Sequence, residues 1–159
     1  MADARPRILV DADACPVKDE VCRVAWRRGA TVLMVSDSWL RLPVHEDVSQ
    51  LVVEQGPDAA DDAIAEAAGP DAVVITADIP LAARALEAGA LALSPKGRGW
   101  DARNIGDALA TRSLMSELRA GVGTPGAQGG PAPFAKEDRS RFLQALDAAL
   151  VALERRSPT

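Results

Sequence analysis

The 159-residue sequence predicts an α/β domain built on a mainly parallel sheet. Three observations support this class. Short apolar runs alternate along the chain with amphipathic helical patterns. The runs are rich in Val, Ile, Leu and Ala, as expected of strands buried on both faces. Two of the runs end in acid, at Asp11 and Asp78. Such alternation is typical of a sheet covered by helices on both faces.

Five apolar runs of three to five residues are the predicted strands, and turn-forming residues separate most of them from their neighbours. They lie at residues 7–10, 31–35, 51–53, 72–76 and 90–93. Residues 36–47, which include Trp39 and Pro43, read as a loop. The second run, Thr-Val-Leu-Met-Val, has the β-branched content of a central parallel strand.

Helical patterns fill the intervals between the strands and the C-terminal part of the chain. They are predicted at residues 18–28, 59–68, 80–87, 105–110, 112–120 and 138–155. Pro16 and Pro80 suit the first turn of a helix, and Asp58 is a good N-cap. Gly29 and Gly89 follow the predicted ends of two helices, where glycine is favoured.

The chain divides into an α/β domain, a connector and a C-terminal helix. Residues 1–120 form the α/β domain, and residues 121–133 hold five glycines and three prolines, which predicts a flexible connector. Residues 134–159 contain a helix expected to pack on the same domain. Its apolar stripe consists of Phe142, Leu146, Leu150 and Leu153.

Composition excludes several classes of function. The net charge of −5 argues against a general nucleic-acid coat protein, but it does not exclude a nuclease. With three Trp, two Phe and no Tyr, a base-stacking platform of the single-strand-binding type is not expected. The absence of an apolar run of about 18 residues, together with a polar N-terminus, predicts a cytoplasmic protein with no membrane association.

The ligand inventory favours a hard cation over zinc. There are two cysteines, Cys15 and Cys22, and one histidine, His45, too few for an ordinary zinc site. No disulfide is expected in a reducing compartment. Carboxylates are plentiful, and they are the ligands preferred by Mg²⁺ or Mn²⁺.

Acidic residues from distant parts of the chain are predicted to meet at one edge of the sheet. Asp11 and Asp13 are two residues apart, so they face one side if the chain stays extended. Asp78 follows the fourth strand, and either Asp61 or Asp62 can point to the same edge from the helix that precedes this strand. Convergent carboxylates repel one another unless a cation neutralises them, so the sequence predicts a divalent-metal site.

A metal held there would activate water and stabilise charge on a phosphoryl oxygen, which indicates phosphodiester hydrolysis. Lys96 and Arg98 follow the fifth strand and are candidates for binding substrate phosphate. They are also ordinary charges for a solvated loop.

Structural roles compete with the metal-binding interpretation. Asp11 and Asp13 can satisfy a turn, and Asp78 can cap the helix that begins at Pro80. Asp61 and Asp62 favour a helix N-terminus through the helix dipole alone. A capping aspartate can still bind a metal, so these interpretations are compatible. Cys15 is interpreted as a structural thiol.

Three motifs resemble the YaiI/YqxD family of bacterial proteins, which is similar to PIN-like (NYN-type) nuclease domains. They are Asp11-Ala12-Asp13-Ala14-Cys15-Pro16, the stretch from Val74 to Ala82 that contains Thr76-Ala77-Asp78, and Gly129-Gly130-Pro131. The similarity extends over nearly the whole chain.

The resemblance implies a PIN-like three-layer αβα fold with a five-stranded parallel sheet of order 3-2-1-4-5. It implies acids at the ends of strands one and four, which match Asp11, Asp13 and Asp78. The family's Ala-Asp pattern falls on Ala60-Asp61, which selects Asp61 over Asp62. Active PIN nucleases carry a further acid near the next strand end, where this chain has Leu93-Ser94-Pro95.

The leading hypothesis is therefore a metal-dependent nuclease acting on RNA. Asp11, Asp13, Asp61 and Asp78 would bind Mg²⁺ or Mn²⁺ and carry the catalysis, while Lys96 and Arg98 would bind substrate. One alternative is a non-catalytic module that binds nucleic acid or protein, and another is a small-molecule phosphohydrolase. Nothing in the sequence indicates a homo-oligomer.

Overall fold

The computed structural model describes residues 5–13, 15–56, 58–122 and 133–156. These residues form six strands and five helices. The strands are β1 (Arg7–Asp11), β2 (Thr31–Ser36), β3 (Val48–Val52), β4 (Ala72–Ile75), β5 (Leu91–Leu93) and β6 (Gly99–Trp100). The helices are α1 (Lys18–Arg28), α2 (Ala59–Ala67), α3 (Ile79–Glu87), α4 (Asn104–Val122) and α5 (Lys136–Arg156).

The strands form one sheet of order β3-β2-β1-β4-β5-β6. All neighbouring pairs among β1–β5 are parallel, which confirms the predicted order of five strands. The sixth strand was not predicted, because two residues carry no periodic signal. It runs antiparallel to β5 after a tight turn closed by a hydrogen bond from the Ser94 amide to the Arg98 carbonyl (2.9 Å). The five parallel strands therefore all end at the same edge, called here the C-terminal edge.

One face of the sheet is covered by α1 and α5. Alternate residues of β1, Ile8 and Val10, point into this layer and are fully buried. The helix stripe predicted from the sequence, which begins at Phe142, completes the cluster. Among the described residues, three ion pairs join the helices: Arg139 with Glu20 (2.8 Å), and both Arg28 (2.8 Å) and Arg27 (3.2 Å) with Asp147. The C-terminal helix is therefore an integral layer of the fold.

The opposite face is covered by α2 and α3, with α4 packed against α3. Leu9, which lies between Ile8 and Val10 in β1, faces this second layer. Its partners include Ile64 of α2 and Leu81 of α3. Because side chains alternate along a strand, Asp11 has the same orientation as Leu9, toward the layer that contains α2 and α3.

The structure differs from the sequence expectation in the helices after β5. The two helical patterns at residues 105–110 and 112–120 form the single helix α4, because no glycine or proline separates them. That helix also includes Gly121 and Val122, which were expected to begin the connector. The rest of the predicted connector, residues 123–132, lies outside the described residues.

Smaller differences concern the ends of other elements. The third strand begins at Val48, three residues before the predicted start. It lies at the edge of the sheet and carries the polar residues Ser49 and Gln50, which hide the apolar signal.

In the described ranges, no helix is long and apolar enough to cross a membrane.

Candidate active site

Three elements bring acidic residues to the C-terminal edge of the sheet. Asp11 is the last residue of β1, and Asp78 is the N-cap of α3, which follows the neighbouring strand β4. Asp61 lies in the first turn of α2, which packs against β1. The topology brings these three residues together because β1 and β4 are adjacent, while α2 and α3 cover the same face of the sheet.

Thr76 connects two of these acids directly. Its side chain is buried, and its hydroxyl donates a hydrogen bond to Oδ2 of Asp11 (2.8 Å). The same hydroxyl oxygen accepts a hydrogen bond from the Asp78 amide (2.9 Å). Asp78 Oδ1 in turn accepts from the Leu81 amide (2.9 Å), which confirms the predicted cap. The positions of Asp11 and Asp78 are thus fixed by one short hydrogen-bonded chain.

The charges at this edge repel one another. Burial, followed by repulsion from Asp78, Asp11 and Asp58, raises the pKa of Asp61 to about 6, although Arg84 opposes the shift. Burial also raises the pKa of Asp11, with further contributions from Asp78 and Asp13, against the hydrogen bond from Thr76. Asp61 therefore lies close enough to both strand-end acids for their charges to act on it.

Asp13 takes a different position from the one its spacing predicts. The extended chain ends at Ala12, whose amide donates to the Val35 carbonyl (2.9 Å), and Asp13 lies in a turn. Its Oδ2 accepts a hydrogen bond from the Asp37 amide (3.2 Å). Asp13 is exposed but still acts on the charge of Asp11, so it lies at the rim of the group.

The two adjacent aspartates of α2 differ in their exposure and in the residues they face. Asp61 is half-buried beside the other acids, whereas Asp62 is exposed and pairs with Arg84 of α3 (2.9 Å). The helix rotates successive side chains by about 100°, so only one of the two can face the edge of the sheet. The structure thus agrees with the preference for Asp61. Asp58 occupies the N-cap position as predicted, but its side chain makes no capping hydrogen bond.

The chemistry of the acidic group suits a hard divalent cation. All of its donors are carboxylate oxygens, and they come from separate elements of the fold. Among the described residues, no hydrogen bond reaches Oδ1 of Asp11 or Oδ2 of Asp78, which leaves one oxygen of each carboxylate for a ligand. In the same part of the chain, however, no three acidic, imidazole or thiol groups are already arranged around a common point. Binding an ion would require side-chain rotation.

The two predicted phosphate-binding residues lie on the loop after β5, at the C-terminal edge, but they face different layers. Lys96 lies near α5, where a hydrogen bond from the Ala135 amide and then the charge of Lys96 lower the pKa of Asp138. Arg98 instead lies over the ring of Trp100, 4.4 Å from its centroid, and Trp100 packs on the α2–α3 layer. Only Arg98 therefore lies on the acidic residues' side of the sheet.

Cys15 agrees with its interpretation as a structural thiol. Both cysteines are buried and unbridged, and Cys15 belongs to the core under α1. Burial raises the pKa of its thiol, which is the opposite of what a nucleophile requires.

Two residues of the site were not anticipated from the sequence. Thr76 had a weak signal, since it is a polar residue at the end of an otherwise apolar strand, two positions before Asp78. Arg84 pairs with Asp62, and its charge opposes the raised pKa of Asp61. A single arginine in the middle of a helix has no distinguishing signal in the sequence.

Comparison with known proteins gives one consistent family. Residues 9–152 match the family model described as "Uncharacterized BCR, YaiI/YqxD family". A UPF0178 protein of Sphingopyxis alaskensis is 59% identical over 150 residues, which cover 94% of this chain and 96% of the relative. A UPF0178 protein of Parvibaculum lavamentivorans is 58% identical over 151 residues, covering 95% and 97% of the two chains.

A third relative, a UPF0178 protein of Caulobacter vibrioides, is 52% identical over 152 residues, covering 95% of this chain and 97% of its own. No solved structure matches the chain. Because both the family model and these relatives extend over nearly all of the sequence, this protein belongs to the YaiI/YqxD family.

Proposed function

We propose that the protein is a metal-dependent nuclease that hydrolyses phosphodiester bonds, with RNA as the favoured substrate. The observation that carries this proposal is the position of Asp61, whose pKa is raised to about 6 by burial and by its proximity to Asp78 and Asp11. Carboxylates held together in this way destabilise a fold unless they serve a ligand, and a divalent cation is the ligand that relieves their repulsion.

Asp11, Asp61 and Asp78 would hold Mg²⁺ or Mn²⁺, with Asp13 at the rim. When bound, the ion would polarise the phosphoryl group and lower the pKa of a coordinated water. Thr76 orients Asp11 through its hydroxyl, and the Leu81 amide fixes Asp78.

The proposal includes a PIN-like architecture. It is supported by the order of the five parallel strands, by helix layers on both faces, and by acids at the ends of β1 and β4. It also includes a cytoplasmic location, supported by two unbridged buried cysteines.

The direct test is an assay of purified protein against labelled RNA, DNA and a small chromogenic phosphodiester, with Mn²⁺ and after EDTA. We expect RNA cleavage that needs the metal and falls about 100-fold or more in Asp11→Asn and Asp78→Asn. Asp62→Asn is the matched control, because it neutralises a neighbouring carboxylate that faces Arg84, and it should cleave at the wild-type rate. Cleavage of the small diester alone would instead indicate a phosphohydrolase of small molecules.

A non-catalytic binding module is the second candidate, and a specific observation favours it. Asp78 is occupied as a helix cap, and within the described ranges no three groups form a ready metal site. If this candidate is correct, the wild-type protein binds RNA without cleaving it. Asp11→Asn would then bind equally well and would be more stable than the wild type, because its only effect is to relieve repulsion.

A further inference from the structure

A groove lies next to the N-terminal end of α3, the helix that Asp78 caps. We infer that the groove between the Arg98–Trp100 stack and α4 binds an unpaired nucleotide of the substrate, next to the phosphate that is cleaved. The groove has a volume of about 350 Å³, and its walls include Ile79, Arg98, Trp100, Asp107, Thr111 and Arg112. This inference rests on the proposed function and names the form of nucleic acid that the site accepts, a single strand.

One wall of the groove includes the residue that follows an acidic residue of the site. Ile79 lines it, and Ile79 is the residue after Asp78 and the first residue of α3. A ligand in this groove would therefore contact the residue that follows a carboxylate of the proposed metal site. A chain that crosses the C-terminal edge can occupy both sites at once.

Arg98 is held in position before any ligand binds. The carbon of its guanidinium lies 4.4 Å from the centroid of the Trp100 ring, a cation–π contact that favours this position of the side chain. The loop that carries it is closed by two hydrogen bonds, from the Ser94 amide to the Arg98 carbonyl (2.9 Å) and from the Arg98 amide to Ser94 Oγ (3.1 Å). Arg98 would therefore lose less conformational freedom on binding a ligand than an arginine on an unconstrained loop.

The same loop is seated tightly against α5 through Gly97. This residue has φ +88°, and a Cβ placed on it would lie 2.7 Å from the carbonyl carbon of Arg141. Only glycine fits this contact, because any side chain would have to move the backbone of α5. The position of Arg98 is thus set by the backbone packing of the loop as well as by its stacking on Trp100.

The charges of the groove suit a phosphate backbone. Arg98 approaches from the loop and Arg112 from α4, so the groove carries two cations in a protein whose net charge is −5. Arginines bind phosphate oxygens well because of their fixed fork of donors. Asp107 and Thr111 add acceptors for the donors of a ribose or a base edge.

The shape of the groove selects a single strand. The proposed contact surface is the single pair of Arg98 over Trp100, and not the multi-aromatic platform that the composition argues against. Bases stack on arginine guanidinium planes as well as on aromatic rings. A base inside a duplex is already stacked and paired, so it cannot enter a groove to make this contact. An unpaired nucleotide can place its base there and its phosphate near Arg112.

The test measures binding in EDTA, so that it does not depend on catalysis. Fluorescence anisotropy with a labelled single-stranded RNA would be compared with the same strand in a duplex. We expect the single strand to bind more tightly, and Arg112→Ala to weaken it by roughly fivefold and to reduce the salt dependence by about one ion. Arg23→Ala, which removes an exposed arginine from α1 in the other layer, is the matched control and should bind as the wild type does.

A second measurement follows Trp100 itself. In a variant with Trp26→Phe and Trp39→Phe, the remaining tryptophan reports on the groove, and we expect single-stranded RNA to quench its fluorescence. The inference is overturned if Arg112→Ala binds as tightly as Arg23→Ala while circular dichroism shows both folded. It is also overturned if duplex and single strand bind equally, or if saturating RNA leaves Trp100 unchanged.

These outcomes are separable from those of the proposed nuclease. If the wild type binds single strands through Arg112 but cleaves nothing with Mn²⁺, the groove stands and the nuclease proposal fails. If the wild type cleaves RNA and Arg112→Ala cleaves and binds as well as it does, the nuclease stands and the groove fails.

Discussion

Replacing Asp61 with asparagine tests the electrostatic reasoning on which the acidic site depends. The pKa of Asp61 is raised from 3.8 to about 6, so the folded protein binds this proton more tightly than the unfolded chain does. A raised carboxyl pKa adds stability at low pH, and that stability is lost as the pH rises from about 4 through about 6. Above that range, the ionised side chain destabilises the fold, and Asp61→Asn removes the penalty.

The size of the effect follows from the shift. Without screening by water, a change of about two pKa units corresponds to about 3 kcal/mol in the free energy of unfolding. Because Asp61 is only half-buried, water screens its interactions, and we expect about 1 kcal/mol. For a chain of this length, such a gain raises the melting temperature by about 2 to 4 °C.

The assay is thermal unfolding followed by circular dichroism in EDTA, at about pH 8 and about pH 4.5. Asp61→Asn should melt above the wild type at the higher pH and close to it at the lower pH. The control Asp62→Asn should gain nothing at about pH 8, because it loses an exposed ion pair with Arg84 that contributes at most about 1 kcal/mol.

Two results would refute this reasoning. If Asp61→Asn is no more stable than the wild type at about pH 8, the acids do not repel one another as described. If the gain is the same at both pH values, it comes from packing and not from charge. Adding Mn²⁺ tests the proposed ligand in the same experiment: it should raise the melting temperature of the wild type at about pH 8 and have much less effect on Asp61→Asn.

Three further predictions concern parts of the structure that support the site. Thr76→Val should lower the free energy of unfolding by about 2 kcal/mol in urea titrations, because it removes the buried hydroxyl that bonds both the Asp11 carboxylate and the Asp78 amide. Thr76→Ser keeps a hydroxyl and should retain most of the stability. Gly97→Ala should lower the free energy of unfolding by about 2 kcal/mol, because residue 97 has a positive φ and contacts the backbone of α5. Gly106 has open space around it in α4, so Gly106→Ala should raise the free energy of unfolding by a few tenths of a kcal/mol in the same titration. Arg139→Ala should lower the free energy of unfolding by about 2 kcal/mol, because the buried carboxylate of Glu20 loses its partner. A smaller decrease in the double variant Arg139→Ala/Glu20→Gln would confirm that cause.

The sequence alone was sufficient to predict the features that depend on the order of residues within a short stretch of chain. The alternation of apolar runs and helical patterns predicted the strands and helices, because a strand buried on both faces and an amphipathic helix each impose their own period. The cap at Asp78 was predictable for a similar reason, since the aspartate precedes a proline in the first helical turn. The resemblance supplied the order of the five parallel strands, which no local pattern contains.

The tertiary structure decided which side chains meet. Asp61 and Asp62 are adjacent aspartates, so the sequence around them hardly distinguishes one from the other. Only the way α2 is rotated on the sheet turns Asp61 toward Asp11 and Asp62 toward Arg84. Thr76 became part of the site through a hydrogen bond to a residue 65 positions away. The groove at Arg98 likewise joins a loop, a two-residue strand and α4. Such contacts depend on which strands are neighbours and how helices pack on them, because sequence periodicity specifies the face of an element but not the partner it meets.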